Sequence, residues 1–281
     1  MNAPTSAVQS ENTSKTVIEL KDVAISFNLA NGGRYDAVAE SNLKVAENEF
    51  VAIVGPTGCG KSTLLNAVAG LLTPANGHVE IGGVRLSGLN RQAGYLFQQD
   101  ALMPWKTVLE NVAIGLEITG TPKKQARELA QDWLARVGLA NFGDRYPHML
   151  SGGQRKRIGL AQVLIRNPKY LLMDEPFGPL DAQTRVIMGD LLLELWSQDR
   201  KAVMFVTHDL EEAIALADRV VIMSAGPRAH IMAEYQIPLK RPREISEIRL
   251  HDQFHEIHRE IWGALKEEVL KGYQQTSGVR K

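Results

Sequence analysis

The sequence predicts an α/β fold, a mostly parallel sheet carrying helices and a helical insert, and three observations predict it. The apolar run Phe50-Val51-Ala52-Ile53-Val54 stops at a glycine and passes through a glycine-rich loop into helix formers from Lys61 to Leu72, before Pro74 and Gly77. Short apolar or β-branched runs at 170–173, 202–207 and 219–223 alternate with helical pattern, as strands joined by crossover helices do. Between about residues 100 and 165 no comparable β run intervenes, and Leu129, Trp133, Leu134 and Val137 fall on one helical face.

The remaining elements follow in order. Residues 1–15 are polar and lack both the apolar stretch and the basic start of a signal peptide, so they read as a floppy tail. Residues 17–27 alternate as a strand. A core domain is expected over 16–240, with its helical subdomain at about 100–165. A helical extension follows over 241–281, where Phe254, Ile257, Ile261, Leu265 and Val269 step by three or four residues and predict an amphipathic helix packed back on the core.

With 281 residues, 44% of them hydrophobic, the chain can bury one sizeable core, and its single copy of each motif argues against two fused units. Its 32 Lys and Arg balance 32 Asp and Glu, which removes the positive field that draws a protein onto nucleic acid or anionic lipid. The single cysteine, Cys59, cannot form an internal disulfide, which fits a reducing compartment. No stretch reaches the roughly 18 to 20 uninterrupted apolar residues of a spanning helix, so a connection to a membrane is expected to run through another protein.

Gly55-Pro56-Thr57-Gly58-Cys59-Gly60-Lys61-Ser62 fits the phosphate-binding loop, in which glycines let backbone N–H groups close around an anion at a helix N-terminus. Lys61 is placed to hold the β- and γ-phosphates of ATP and Ser62 to ligate Mg2+, with Thr63 following. Asp174 and Glu175 end an apolar strand as adjacent carboxylates, so Asp174 can face the metal while Glu175 reaches the attacking water. An isolated Asp-Glu pair would read as a solvated strand end; after a phosphate loop it reads as that loop's catalytic partner.

The order of motifs is more specific than any one of them. Phosphate loop, Phe97-Gln98, Leu150-Ser151-Gly152-Gly153-Gln154, Asp174-Glu175-Pro176, Leu180-Asp181 and Thr207-His208-Asp209 follow one another over roughly 200 residues. In this the chain resembles the ATP-binding subunits of ABC transporters, whose fold is a phosphate-loop core with an antiparallel β region and a helical subdomain. The resemblance implies a head-to-tail dimer, of identical or related chains, sandwiching two ATP molecules. Ser151, Gly152, Gly153 and Gln154 would contact the partner's nucleotide, Gln98 would sense Mg2+ and water, and Asp181 would signal across the dimer. His208 would stabilise the transferred phosphoryl group and hold Glu175, the general base. Adenine would stack on an aromatic upstream of the loop, Phe27 fitting best and Tyr35 being the alternative.

Pro104-Trp105 after the glutamine is similar to a pair in importers of nitrate, sulfonates and taurine, where this surface meets the membrane partner; an isolated Trp would be a core residue. Asp174-Glu-Pro-Phe-Gly-Pro-Leu-Asp181, the His208 segment and the tail from Leu239 are similar to the same branch, and little chain follows the final helix for the extra domain of sugar importers. Transmembrane permease subunits, a solute-binding protein and a peripheral place on the cytoplasmic membrane face are implied. Pro179 and Asn48 stand where this family commonly has Ala and Gly, and Arg155-Lys156-Arg157 departs from its usual pattern. A DNA- or ribosome-associated ABC ATPase lacks support from charge or coiled coil, and a non-hydrolysing regulatory subunit conflicts with intact Lys61, Asp174, Glu175 and His208. His251, His255 and His258 at helical spacing offer three imidazoles for a metal, without a carboxylate or Cys frame.

Overall fold

The computed structural model of the chain describes residues 15–30 and 32–277, so the tail expected over 1–15 lies, but for Lys15, outside the described residues. Two sheets form the scaffold. One is antiparallel in the order β2-β1-β4-β5, built from β1 (Thr16–Asn28), β2 (Arg34–Ala46), β4 (Asn76–Ile81) and β5 (Val84–Arg85). The other comprises β3 (Phe50–Val54), β6 (Ala93–Leu96), β7 (Tyr170–Asp174), β8 (Ala202–Val206), β9 (Arg219–Met223) and β10 (Ile231–Gln236). It runs β10-β9-β3-β8-β7-β6 and is parallel except for β10.

Strands β3, β8 and β9 are buried along their whole length, which is why they read as continuous apolar runs: a parallel sheet is covered on both faces. The two-residue period of a strand divides them between two cores. Phe50, Ala52, Val54, Leu171, Met173 and Phe205 face one core with the helices α4 (Gly152–Leu164), α5 (Ala182–Gln198), α6 (Leu210–Leu216) and the carboxy-terminal α8 (Asp252–Ser277). Val51, Ile53, Leu172, Met204 and Val206 face the other, with α1 (Lys61–Val68) and the antiparallel sheet.

The helical insert consists of α2 (Val108–Ile118), α3 (Lys123–Arg136), two short 3-10 turns (Ala140–Phe142 and Pro147–Met149) and α4. Its buried stripe differs from the expected one. Ala126, Ala130 and Leu134 carry the buried face of α3 and Val137 follows them, whereas Leu129 is exposed and Trp133 only partly covered. The small alanines that bring α3 close to its neighbours carry little hydrophobic signal.

A short helix, α7 (Ile245–Ile248), precedes α8, in which Phe254, Ile261 and Leu265 are buried and Ile257 and Val269 pack on the core. Each fully buried side chain contributes on the order of 2 kcal/mol, which favours docking of this helix on the core. Asn48 explains its own departure: its φ of 62° is left-handed, a conformation that favours Gly and that Asn tolerates better than most residues.

Glu212 is buried in α6; Thr207 Oγ1 donates to its Oε2, while Oε1 has no hydrogen-bond partner. Burial pushes its carboxyl up to about 7. Between the ordinary glutamate value of 4.5 and about 7 the folded chain therefore holds a proton that the unfolded chain has released, and stability falls as pH rises through that window. Glu212→Gln is expected to raise Tm by about 3 °C or more at pH 8, with a gain that shrinks towards pH 5, in paired thermal melts; an equal shift at both pH values would refute this.

Candidate functional site

Strands β3, β8 and β7 are adjacent and parallel, so their carboxy-terminal ends deliver three loops to one edge, where open α/β sheets bind ligands. From β3 comes the phosphate loop. Gly60 has φ 95° and a Cβ there would lie 2.8 Å from Val38 Cγ2, while a Cβ at Gly55 would lie 2.9 Å from the Met223 carbonyl oxygen. Both positions demand glycine, one on backbone conformation and one on space.

Side chains of Thr107, Ser151, Asp181 and Asp209 cap α2, α4, α5 and α6. Helix α1 begins at Gly60 with no side-chain cap and no acidic residue in its first turn, so its N-terminal amides and positive dipole end face the loop. Lys61, only 5% exposed, donates from Nζ to the carbonyls of Gly55 (2.8 Å) and Pro56 (2.9 Å). An uncapped helix start and a buried ammonium hydrogen-bonded to neutral carbonyls are together complementary to a polyanion. Cys59 is buried behind this loop, and burial pushes its thiol up, away from reactivity.

From β7 comes the carboxylate pair. Asp174 Oδ1 accepts from Ser62 Oγ at 2.6 Å, and burial pushes the Asp174 carboxyl above its ordinary range. Glu175 adopts a left-handed φ of 43°, a costly conformation for a non-glycine and one typical of functional turns. Its amide donates to the Val206 carbonyl (2.9 Å), fixing it to β8. One oxygen, Oε2, accepts from Gln98 Nε2 at 3.2 Å and from His208 Nδ1 at 3.1 Å. The structure thus brings Ser62 to Asp174, and Gln98 and His208 to Glu175.

The signature segment lies elsewhere. Ser151 Oγ accepts from Gln154 N (3.3 Å) and Gln154 Oε1 from Ser151 N (3.0 Å), a reciprocal cap at the start of α4. A Cβ at Gly153 would lie 2.6 Å from Thr184 Cγ2 of α5, and Asp181 caps that helix through Thr184, whose amide and hydroxyl hold its carboxyl below the usual range. Among the described residues no hydrogen bond or ion pair joins 151–154 to 55–63.

Several residues that sequence reasoning missed tie these parts together. Buried Lys156 of α4 donates to the Gln98 carbonyl (2.6 Å) and pairs with Asp100 (3.1 Å), and Arg155 also pairs with Asp100 (2.8 Å). The Arg155-Lys156 departure from the family pattern was the signal, legible only beside Asp100. Arg185 of α5 pairs with Asp209 next to His208 (2.9 Å). Tyr95 donates to Asn66 (2.8 Å) and borders Asp174; burial raises its phenol.

Phe27 and Tyr35 are cross-strand partners, each 39% exposed. A Cβ at Gly226 would lie 3.5 Å from the Gly58 carbonyl and 3.8 Å from the Tyr35 hydroxyl, so Tyr35 reaches the neighbourhood of the phosphate loop. Trp105 is 73% exposed, so the core reading of that residue is overturned. Among the described residues no group of three or more His, Cys, Asp or Glu is placed to hold a metal, the trio His251, His255 and His258 included, and no helix is long and apolar enough to cross a membrane.

Gly60→Ala is expected to cost about 2 kcal/mol, combining the left-handed penalty with the contact on Val38. Chemical denaturation would check it, and an unchanged midpoint would show that the loop relaxes freely.

A protein-family model described as ABC transporter matches residues 38–178. The chain is 46% identical over 241 residues to an ABC transporter ATP-binding protein of Methanocaldococcus jannaschii, covering 86% of this chain and 88% of that protein. It is 44% identical over 203 residues to the taurine import ATP-binding protein TauB of Escherichia coli, covering 72% and 80% respectively. Over 269 residues it is 37% identical to TauB of Roseobacter denitrificans, covering 93% and 100%. Among solved structures it is similar to a dimeric ATP-binding cassette in a post-hydrolysis state bound to ADP and Pi, with a TM-score of 0.70 and 31% identity over 79% of this chain and all of that one. With the phosphate loop, the paired carboxylates and the glutamine and histidine on Glu175 at one edge of the sheet, and these relatives alongside, the chain belongs to the ABC transporter family as one of its ATP-binding, ATP-hydrolysing subunits.

Proposed function

We propose that this ATPase powers uptake of a small solute such as taurine, another sulfonate or nitrate, as a dimer with an identical or related chain. It would sit on the cytoplasmic membrane face beneath separate permease subunits that receive solute from a binding protein. The observation that carries the catalytic part is the double hold on Glu175 Oε2 by Gln98 and His208, beside the Ser62–Asp174 pair. The taurine-import names of relatives at 37 and 44% identity support the transport class.

Each group has a task. Lys61 and the uncapped amides of α1 hold the phosphates. Ser62 Oγ and Asp174 Oδ1 are hard oxygen donors 2.6 Å apart, and a partly buried carboxylate with a raised pKa gains from a cation, so this pair fits Mg2+. When bound, Mg2+ neutralises charge on the β- and γ-phosphate oxygens. Glu175 orients the attacking water and accepts its proton at the carboxylate. Gln98 and His208 keep that carboxylate aimed, and His208 stabilises the transferred phosphoryl group. The Phe27 and Tyr35 edge offers adenine a stacking surface. Ser151, Gly152, Gly153 and Gln154 lie apart from the phosphate loop of their own chain, so they serve the nucleotide of the other subunit, and Asp181 reports between the two.

Trp105 supports the permease contact: a large, exposed aromatic beside Pro104 is the kind of anchor that interfaces bury. Its replacement by Ala is expected to weaken co-purification with the membrane subunits by at least about tenfold in affinity, corresponding to roughly 1.4 kcal/mol.

For the catalytic reading, Glu175→Gln is expected to lower phosphate release at least about 100-fold while ATP binding persists, with an ATP-bound dimer detectable by size-exclusion chromatography. Undiminished hydrolysis in the variant would remove Glu175 from the mechanism. Binding without turnover by the wild type, alone and with its membrane subunits, would make the chain a regulatory subunit.

A further inference from the structure

Two contacts lead from the carboxy-terminal helix to the phosphate loop. The first is through Glu268, only 4% exposed, whose Oε2 accepts from the Ala225 amide at 2.7 Å while Oε1 pairs with Lys271. Ala225 lies in the segment between β9 and β10 that backs the phosphate loop: at its neighbour Gly226 a Cβ would lie 3.5 Å from the Gly58 carbonyl and 3.7 Å from Cys59 Cα. Just before it, Met223 closes on Gly55. The second contact is direct. A Cβ at Gly272 would lie 2.9 Å from Pro56 Cβ, closer than carbon atoms approach without displacement.

Glycine inside a helix costs about 1 kcal/mol relative to alanine, and Gly272 has no left-handed φ to require it. The close passage of α8 over Pro56 supplies the reason. The other glycine of α8, Gly263, has open space where its Cβ would be, so the requirement is local to position 272. A buried carboxylate accepting a loop amide is likewise a fixed attachment, since loss of either partner leaves a buried polar group unsatisfied.

We infer that α8 is a strut for the phosphate loop, and that Glu268, through residues 224–226, and Gly272, against Pro56, are positioning residues for nucleotide binding. The inference rests on the ATPase reading above and adds a part of the chain outside its motifs. The strut sets the shape of the loop that receives the phosphates, while Glu175, His208 and Gln98 follow the ends of β7, β8 and β6. Disturbing it therefore raises KM for ATP and the Kd of a fluorescent ATP analogue, and leaves kcat at saturating ATP within about twofold.

The experiment uses the full chain and four variants, with thermal melts recorded alongside. Glu268→Ala is expected to raise KM and Kd about fivefold to tenfold, and Glu268→Gln, which keeps an acceptor oxygen for Ala225, to recover most of that loss. Gly272→Ala sets a helix-propensity gain against the contact on Pro56, so a purely structural role predicts at most a shifted Tm and an unchanged KM; the strut predicts KM raised at least about threefold. Gly263→Ala, with the same propensity gain and no contact, is expected to match wild type in KM. Should Glu268→Ala fail to fold, the Gly272 and Gly263 pair decides alone. Wild-type KM in Gly272→Ala and in folded Glu268→Ala would overturn the strut while the ATPase reading stood. No nucleotide binding by the wild type would overturn both.

Discussion

The positive end of α1 governs the arrangement of this molecule. A helix start with no side-chain cap and a buried ammonium beside it is electrostatically incomplete, a charge distribution complementary to a phosphate chain. Placing that element requires β3 to end at a loop with glycines where a side chain would collide with Val38 or with the Met223 carbonyl. It also requires β3 to lie inside a sheet, covered on both faces, so that the loop has a rigid base.

The chemistry is then a matter of neighbours in that sheet. Because β8 and β7 follow β3 in order, the residues that leave their carboxy-terminal ends arrive within hydrogen-bond reach of one another. Glu175 is held at three points: its amide on β8, and one carboxylate oxygen shared by Gln98 and His208. Its left-handed backbone is a strained conformation that the surrounding bonds keep in place.

The residues around Glu175 are connected outward in two directions. Towards the helical subdomain, Lys156 and Arg155 of α4 bind the Gln98 segment, so the helix headed by the signature residues is tied to the glutamine beside Glu175. Towards α5, Arg185 joins the Asp209 cap next to His208 to the helix that Asp181 begins. These links join the residues around Glu175 to helices α4 and α5.

By itself the sequence determined the family, the ATPase class and the central strands. Phosphate-loop, strand-end carboxylate and buried-strand patterns are encoded in consecutive residues whose conformational preferences are local, so β3, β7, β8 and β9 were all legible. Strands β2, β4, β6 and β10 were not individually legible, because edge or half-exposed strands such as β2 and β4 carry charges and glycines that break the apolar alternation. Only the tertiary structure decided that alanines rather than Leu129 line α3, that Trp105 is exposed, and that the Tyr35 hydroxyl reaches the segment backing the loop. It alone joined Lys156 to Gln98 and Gly272 to Pro56, since pairings across 58 and more than 200 residues depend on how helices pack against the sheet, which no local pattern records.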